Sequence, residues 1–167
     1  NVVALESADI AALTTLQVAR GLTTAQLSVL SSEQVLALGT AAVAALTTAQ
    51  VAQGLTSAQV ATFDSNQIRA LSTAHLQALT TTQVSAVETE DVAALKTTQI
   101  AALSTAQVAQ GLNTAQIVAL STAQVQALTT AQVQALTSEQ IAALETVDFA
   151  ALKSSQLGAL TTAQIAQ

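Results

Sequence analysis

Three small acidic clusters are the residues best suited to chemistry: Glu6 with Asp9, Glu88 with Glu90 and Asp91, and Glu145 with Asp148. Grouped carboxylates can ligate calcium, so Glu88, Glu90 and Asp91 are the candidate ligands. Calcium takes about six to eight oxygens, and even this cluster supplies only three carboxylates. Acidic charge placed near helix N-termini accounts for all three clusters more simply. His75 is the only histidine and there is no cysteine, so zinc-type ligation has no donor set. The imidazole is expected to act as a polar partner. Serine and threonine are abundant, but none sits in a nucleophile elbow and one histidine completes no recognisable triad. No glycine-rich phosphate loop occurs. No catalytic residue, cofactor or further metal site is expected, and the chain reads as a non-enzyme.

Composition narrows the field further. Charged residues make up 8% of the 167 residues, against about 25% in an average domain. The net charge is −6, and the only cations are Arg20, Arg69, Lys96 and Lys153, spread along the chain. Phosphate binding needs clustered cations, so nucleic acid is not an expected partner. Thr, Ser and Gln interrupt every apolar run well short of the roughly 20 residues a membrane helix needs, so no membrane insertion is expected. Apolar content of 51% with so little charge is the opposite of a disordered composition. Without cysteine there are no disulfides.

What positions these side chains is a repeat. Ala119-Leu120-Ser121-Thr122-Ala123-Gln124-Val125-Gln126 recurs with small changes along the chain in about twenty copies. Position one is Ala, or Gly at Gly21, Gly54 and Gly111, with Val29 and Thr62 as exceptions. Position two is Leu, with Phe63 and Val87 as substitutes. Position three is mostly Thr or Ser, but also Gly39, Asp64, Asn113, Glu or Lys. Position four is Ser or Thr in every copy. Position six is Gln except at Asp9, Ala42, His75, Asp91 and Asp148. Position seven is always Val, Ile, Leu or Phe.

A single long helix does not fit this period, because eight residues advance the apolar stripe about 80° beyond two full turns. A strand does not fit, because positions two and seven have opposite parity and would point to opposite faces. A β-solenoid with corners inside each octad escapes that objection and is the alternative architecture. A short helix fits directly. Thr or Ser at position three and Gln at position six form a capping box, and Leu and Val form its hydrophobic staple. The other residues at position three, Asp, Asn and Gly, belong to the set that N-caps prefer. Ser121 with Gln124 and Thr129 with Gln132 are the representative capping pairs.

Position four never becomes Asp or Asn, so it calls for a hydroxyl that can donate. Thr105, Thr114, Thr122 and Thr130 exemplify the resulting ladder. Each hydroxyl is expected to bond an orphan carbonyl at the end of the preceding helix, or else to face an external surface. Three nine-residue copies insert Arg20, Gln53 or Gln110 before a glycine, which reads as a left-handed helix cap. Lys96 and Lys153 follow Glu88 and Glu145 by one octad; in a stacked solenoid they would be neighbours that could pair across the turn, and they read as register marks rather than a site.

One octad cannot fold alone. Ordering eight residues costs more than burying one Leu and one Val returns. Neighbouring repeats must share the burial, which is the logic of a solenoid. The expected fold is therefore all-α: a solenoid of very short capped helices, one per octad. Residues 1–167 form one continuous repeat domain, expected to be a fragment of a longer repetitive protein.

Leu136-Thr137-Ser138-Glu139-Gln140-Ile141 is similar to the helix-opening phrase of TAL-effector repeats. The match covers six residues per unit, and the longer two-helix repeat, base-reading loop and basic balance are missing, so DNA binding is not carried over. The chain as a whole resembles the low-charge, Ala/Thr/Gln-rich tandem octapeptide repeat regions of large bacterial secreted and surface proteins. That resemblance implies an extracellular or cell-surface spacer, stalk, adhesin or filament subunit. Partners would be copies of the chain or other surface proteins. Two further readings stand beside it. Regular Thr ladders could bind ice or another ordered surface. Local variation at Phe63-Asp64-Ser65-Asn66, Arg69 and His75 could mark a protein-interaction scaffold.

Overall fold

In the computed structural model, which describes residues 2–166, regular structure is helical throughout, and the described residues include no strand. The β-solenoid alternative is thereby excluded. About twenty helices of three to six residues follow one another at the period of the octad. Thr122–Ala127 and Thr130–Ala135 are typical. Each begins at an extended N-cap, such as Ser121 at φ −73°, ψ 157°. Each ends at an extended Leu, such as Leu128 at φ −57°, ψ 134°. Two consecutive extended residues, Leu128 and Thr129, are the whole connection between these two helices.

The helices wind into a solenoid. Thr97–Ala102 packs on Thr73–Ala78 below and on Thr122–Ala127 above, three octads away in each direction. Side-chain bonds between successive coils span from 25 residues, as in Gln126 to Ala151, to 32, as in Gln132 to Ile100. One coil therefore takes between three and four octads. Positions two and seven fill a continuous apolar core, with Leu120, Val125, Leu128 and Val133 all at most 4% exposed. Position seven is buried from the first coil onward: Ile10, Val18 and Leu27 are already covered. Position two in that coil is only partly buried, at Leu5, Leu13 and Leu22. At the other end the pattern inverts. Leu152 is buried while Phe149, Leu157 and Ile165 are exposed. Position two thus packs on the coil below, and position seven on the coil above.

The nine-residue copies correct one expectation. No glycine has positive φ among the described residues, so none is a left-handed cap. The extra residue is absorbed by a π-turn within the helix, over Gln17–Gly21, Gln50–Gly54 and Gln107–Gly111. The Leu55 N–H reaches the Gln50 carbonyl at 3.0 Å, five residues back. Glycine is needed there for close approach. A Cβ on Gly54 would lie 2.9 Å from Leu27 Cδ2 and 3.2 Å from Thr24 Cα, and one on Gly111 3.1 Å from Val84 Cβ. Gly21, in the first coil, has only its own Gln17 Cβ at 3.9 Å. Gly54→Ala and Gly111→Ala should each destabilise the chain by about 1–3 kcal/mol through overpacking. Gly21→Ala should be neutral or stabilise by up to about 1 kcal/mol, since Ala is the better helix former. Thermal unfolding followed by circular dichroism measures all three.

Candidate functional site

The most highly organised polar structure is a file of buried glutamines. Every position-six Gln from Gln34 to Gln164 is buried. In Gln124 the Oε1 accepts the Ser121 N–H at 2.8 Å, and the Gln124 N–H is 3.4 Å from Ser121 Oγ. That is the capping pair. The Nε2 points the other way and donates to the carbonyls of Val92 at 3.0 Å and Leu95 at 2.8 Å, in the coil below. Gln132 repeats this. Its Oε1 accepts from Thr129 N–H at 2.7 Å, and its Nε2 donates to Ile100 at 3.0 Å and Leu103 at 2.6 Å. The two carbonyls close the end of one helix and the extended Leu after it. No buried side-chain N or O lacks a partner among the described residues.

This places the orphan-carbonyl bond on a different residue from the expected one. Glutamine, not the position-four hydroxyl, satisfies those carbonyls, and it does so one coil away rather than in the preceding helix. The reason is reach: position four sits at the first helical residue and points outward or towards the coil above, where Ser138 Oγ donates to the Ala163 carbonyl at 3.3 Å. Thr105, Thr114 and Thr130 are exposed, with no side-chain hydrogen bond of their own. Thr122 is half-buried and donates to Asp148 Oδ1 at 2.6 Å. Ser65 does the same to Asp91 Oδ1 at 2.5 Å. These two pairs occur where Asp replaces Gln, and each joins a coil to the next.

The acidic clusters are not assembled into a cation site. Glu88 and Glu90 are exposed, whereas Asp91 is buried with one oxygen taken by Ser65. Among the described residues no three His, Asp or Glu side chains converge as metal ligands. Among the described residues Lys96 and Lys153 make no ion pair. Successive octads lie side by side around a coil, and only residues three to four octads apart are stacked, so a Glu–Lys pair across a turn does not arise. No helix among the described residues is long and apolar enough to cross a membrane.

His75 occupies the Gln slot with the chemistry of Gln. Its Nδ1 accepts the Ser72 N–H at 3.3 Å. The Leu46 carbonyl, in the coil below, lies against the ring and favours a proton there. Burial outweighs that carbonyl and pushes the imidazole below its ordinary 6.5. Protonated Nδ1 would also oppose one N–H to another.

A family model for the ALTTAQ repeat matches residues 2–40, 60–97, 84–120, 110–138 and 141–167. The chain belongs to the ALTTAQ repeat family. No curated protein and no solved structure matches it. The family's name spells positions one to six, and the file of buried amides shows what its last letter does.

Sequence reasoning found the acceptor half of that glutamine and missed the donor half. The signal was present. A capping box accepts Glu as readily as Gln, yet position six is never Glu. A side chain long enough to reach the carbonyls of the coil below must donate to them, which excludes Glu, whereas the shorter Asp91 and Asp148 accept from a hydroxyl of that coil instead.

Gln124→Glu would set a carboxylate oxygen against two carbonyls, costing at least about 3 kcal/mol. Gln26→Glu, whose amide has no coil beneath it, should stay within about 0.5 kcal/mol of the parent; denaturant unfolding compares them. For His75 the unfolded state takes up its proton near 6.5 while the folded state resists it. Stability from this site is therefore complete above 6.5 and declines as the pH falls towards the lower folded value. The slope is at most about 1.4 kcal/mol per pH unit. The stability difference between the parent and His75→Gln, measured from pH 8 to 5, should show that decline.

Proposed function

We propose that this chain is a non-catalytic structural protein: a spacer or stalk, or a self-associating filament subunit, placed outside the cell or on its surface. One observation carries the reading. The buried amides link every coil to the next, so chain is converted into length by a single rule with no interruption for a site. The polar groups that are buried are consumed in holding coils together. The extracellular placement rests on the resemblance to repeat regions of secreted and surface proteins. Low charge supports self-association, because little repulsion keeps copies apart. Surface labelling of intact source cells with an antibody tests the placement, with labelling expected only after lysis if the reading is wrong. Electron microscopy of the purified chain should show uniform-width rods or filaments; compact particles of equal axes would overturn the structural role.

A second reading has its own observation. The position-four hydroxyls Thr105, Thr114 and Thr130 are exposed and unspent within the fold, as a ladder that binds ice or another ordered surface would require. Thermal hysteresis at millimolar protein decides it, and a freezing point equal to that of a control protein rejects it.

A further inference from the structure

At two junctions between coils the slot that a glutamine amide normally fills holds a carboxylate. Asp91 and Asp148 are 4 and 5% exposed. The Oδ1 of each accepts a hydroxyl from the coil below, Ser65 at 2.5 Å and Thr122 at 2.6 Å. Neither accepts the N–H of its own N-cap, Glu88 or Glu145, so both lean on the coil below. Gln99 and Gln156 show what the exchange removes. Their Nε2 atoms donate to carbonyls 31 and 28 residues back: Ile68 at 3.2 Å and Leu71 at 2.8 Å, Val125 at 2.9 Å and Leu128 at 2.8 Å. The same steps back from Asp91 reach Val60 and Phe63, and from Asp148 they reach Ile117 and Leu120. Among the described residues the Phe63 and Leu120 carbonyls accept no hydrogen bond. Those of Val60 and Ile117 accept only the N–H three residues on, at 3.2 Å. No described lysine or arginine pairs with either carboxylate.

We propose that each of these two junctions binds one alkali-metal cation. The slot gathers oxygens and no donor: the carboxylate Oδ2, the hydroxyl oxygen and two backbone carbonyls. Ser65 and Thr122 donate their protons to Oδ1 and keep lone pairs for an ion. A buried carboxylate set over carbonyls is costly unless positive charge lies between them. The cation takes the place of the amide NH2, which supplies the positive end at every glutamine junction. Charge fixes the class of ion. One carboxylate balances one monovalent cation, whereas a divalent one leaves a buried net charge. Backbone carbonyls also suit alkali metals, whose hydration shell they can replace. The way in is open. No buried side-chain oxygen lacks a partner among the described residues, so the unbonded Oδ2 of each aspartate touches solvent. The exposed Glu88, Glu90 and Glu145 take no part. Two coil junctions are thus tightened by an ion and respond to the salt around the chain, while the glutamine junctions do not.

The whole chain is unfolded by heat in sodium, potassium, calcium or choline chloride at one ionic strength, in a buffer free of metal ions. The midpoint should be about 2–4 °C higher in sodium or potassium chloride than in choline chloride. The better of the two alkali salts identifies the ion. Asp91→Gln with Asp148→Gln installs the amide that Gln99 and Gln156 already use, and its midpoint should be the same in all four salts. Asp91→Asn with Asp148→Asn, which keeps the size of the side chain, gives the same result and serves if the longer amide disturbs the fold. Sodium NMR reports binding directly: the line should broaden with the parent and not with either double variant. A parent midpoint equal in alkali and choline salts, with no broadening, overturns the proposal, because water then fills the slot. A salt response that persists in the double variants overturns the location. A larger response to calcium than to either alkali salt overturns the assignment of a monovalent ion.

Discussion

The bond from a buried glutamine amide to two carbonyls in the coil below is what the rest of the structure depends on. A helix of five or six residues has more unpaired backbone groups than paired ones. Solvent could satisfy them, but the apolar stripe of each octad must be buried, and burial takes the carbonyls with it. An unsatisfied buried carbonyl costs more than its bond would return. Gln124 resolves this with one planar group. Its oxygen completes its own helix start, and its nitrogen completes the ends of another helix some 29 to 32 residues earlier. Capping and stacking are one event, so a helix cannot form well without its neighbour, nor the neighbour without it.

That dual use also explains which parts of the fold are legible in the sequence. Leu120, Val125 and Ser121 show their roles within a single octad, because staple and cap are local motifs. The number of octads per coil is not a local property. It follows from how position two of one coil packs on position seven of the coil below, and an eight-residue period is silent about that. Three details that depend on the coil are therefore not legible in the octad: the partner of the position-four hydroxyl, the absence of a Glu88–Lys96 pair and the reason for Gly54. Gly54 looked like a cap by its place after a helix. Its actual constraint is Leu27, 27 residues away and one coil below.

The exceptions at position six show how far the rule can be relaxed. His75 retains an acceptor facing its own cap and presents the ring to Leu46. Asp91 and Asp148 cannot donate. At these two places the direction reverses, and a hydroxyl from the coil below, Ser65 or Thr122, donates upward instead. Ala42 gives up the bond, and position three of its octad is Gly39, so cap and amide disappear together. Each exception is flanked by octads that keep their glutamine. In a solenoid, stability is close to a sum over neighbouring units, so isolated defects of this kind weaken one junction without propagating.

A ladder in which every amide points one way gives the object a direction. Each coil has a face of amide donors with position-two leucines and a face of carbonyls with position-seven side chains. Symmetric pairing of like faces would oppose donor to donor or carbonyl to carbonyl, burying both unsatisfied. Only stacking in the sense of the chain leaves every group paired. The polarity is a consequence of choosing an amide: a hydrocarbon core alone would stack either way up. The glutamine that makes eight residues fold thus also dictates which end of the structure any further coil can join.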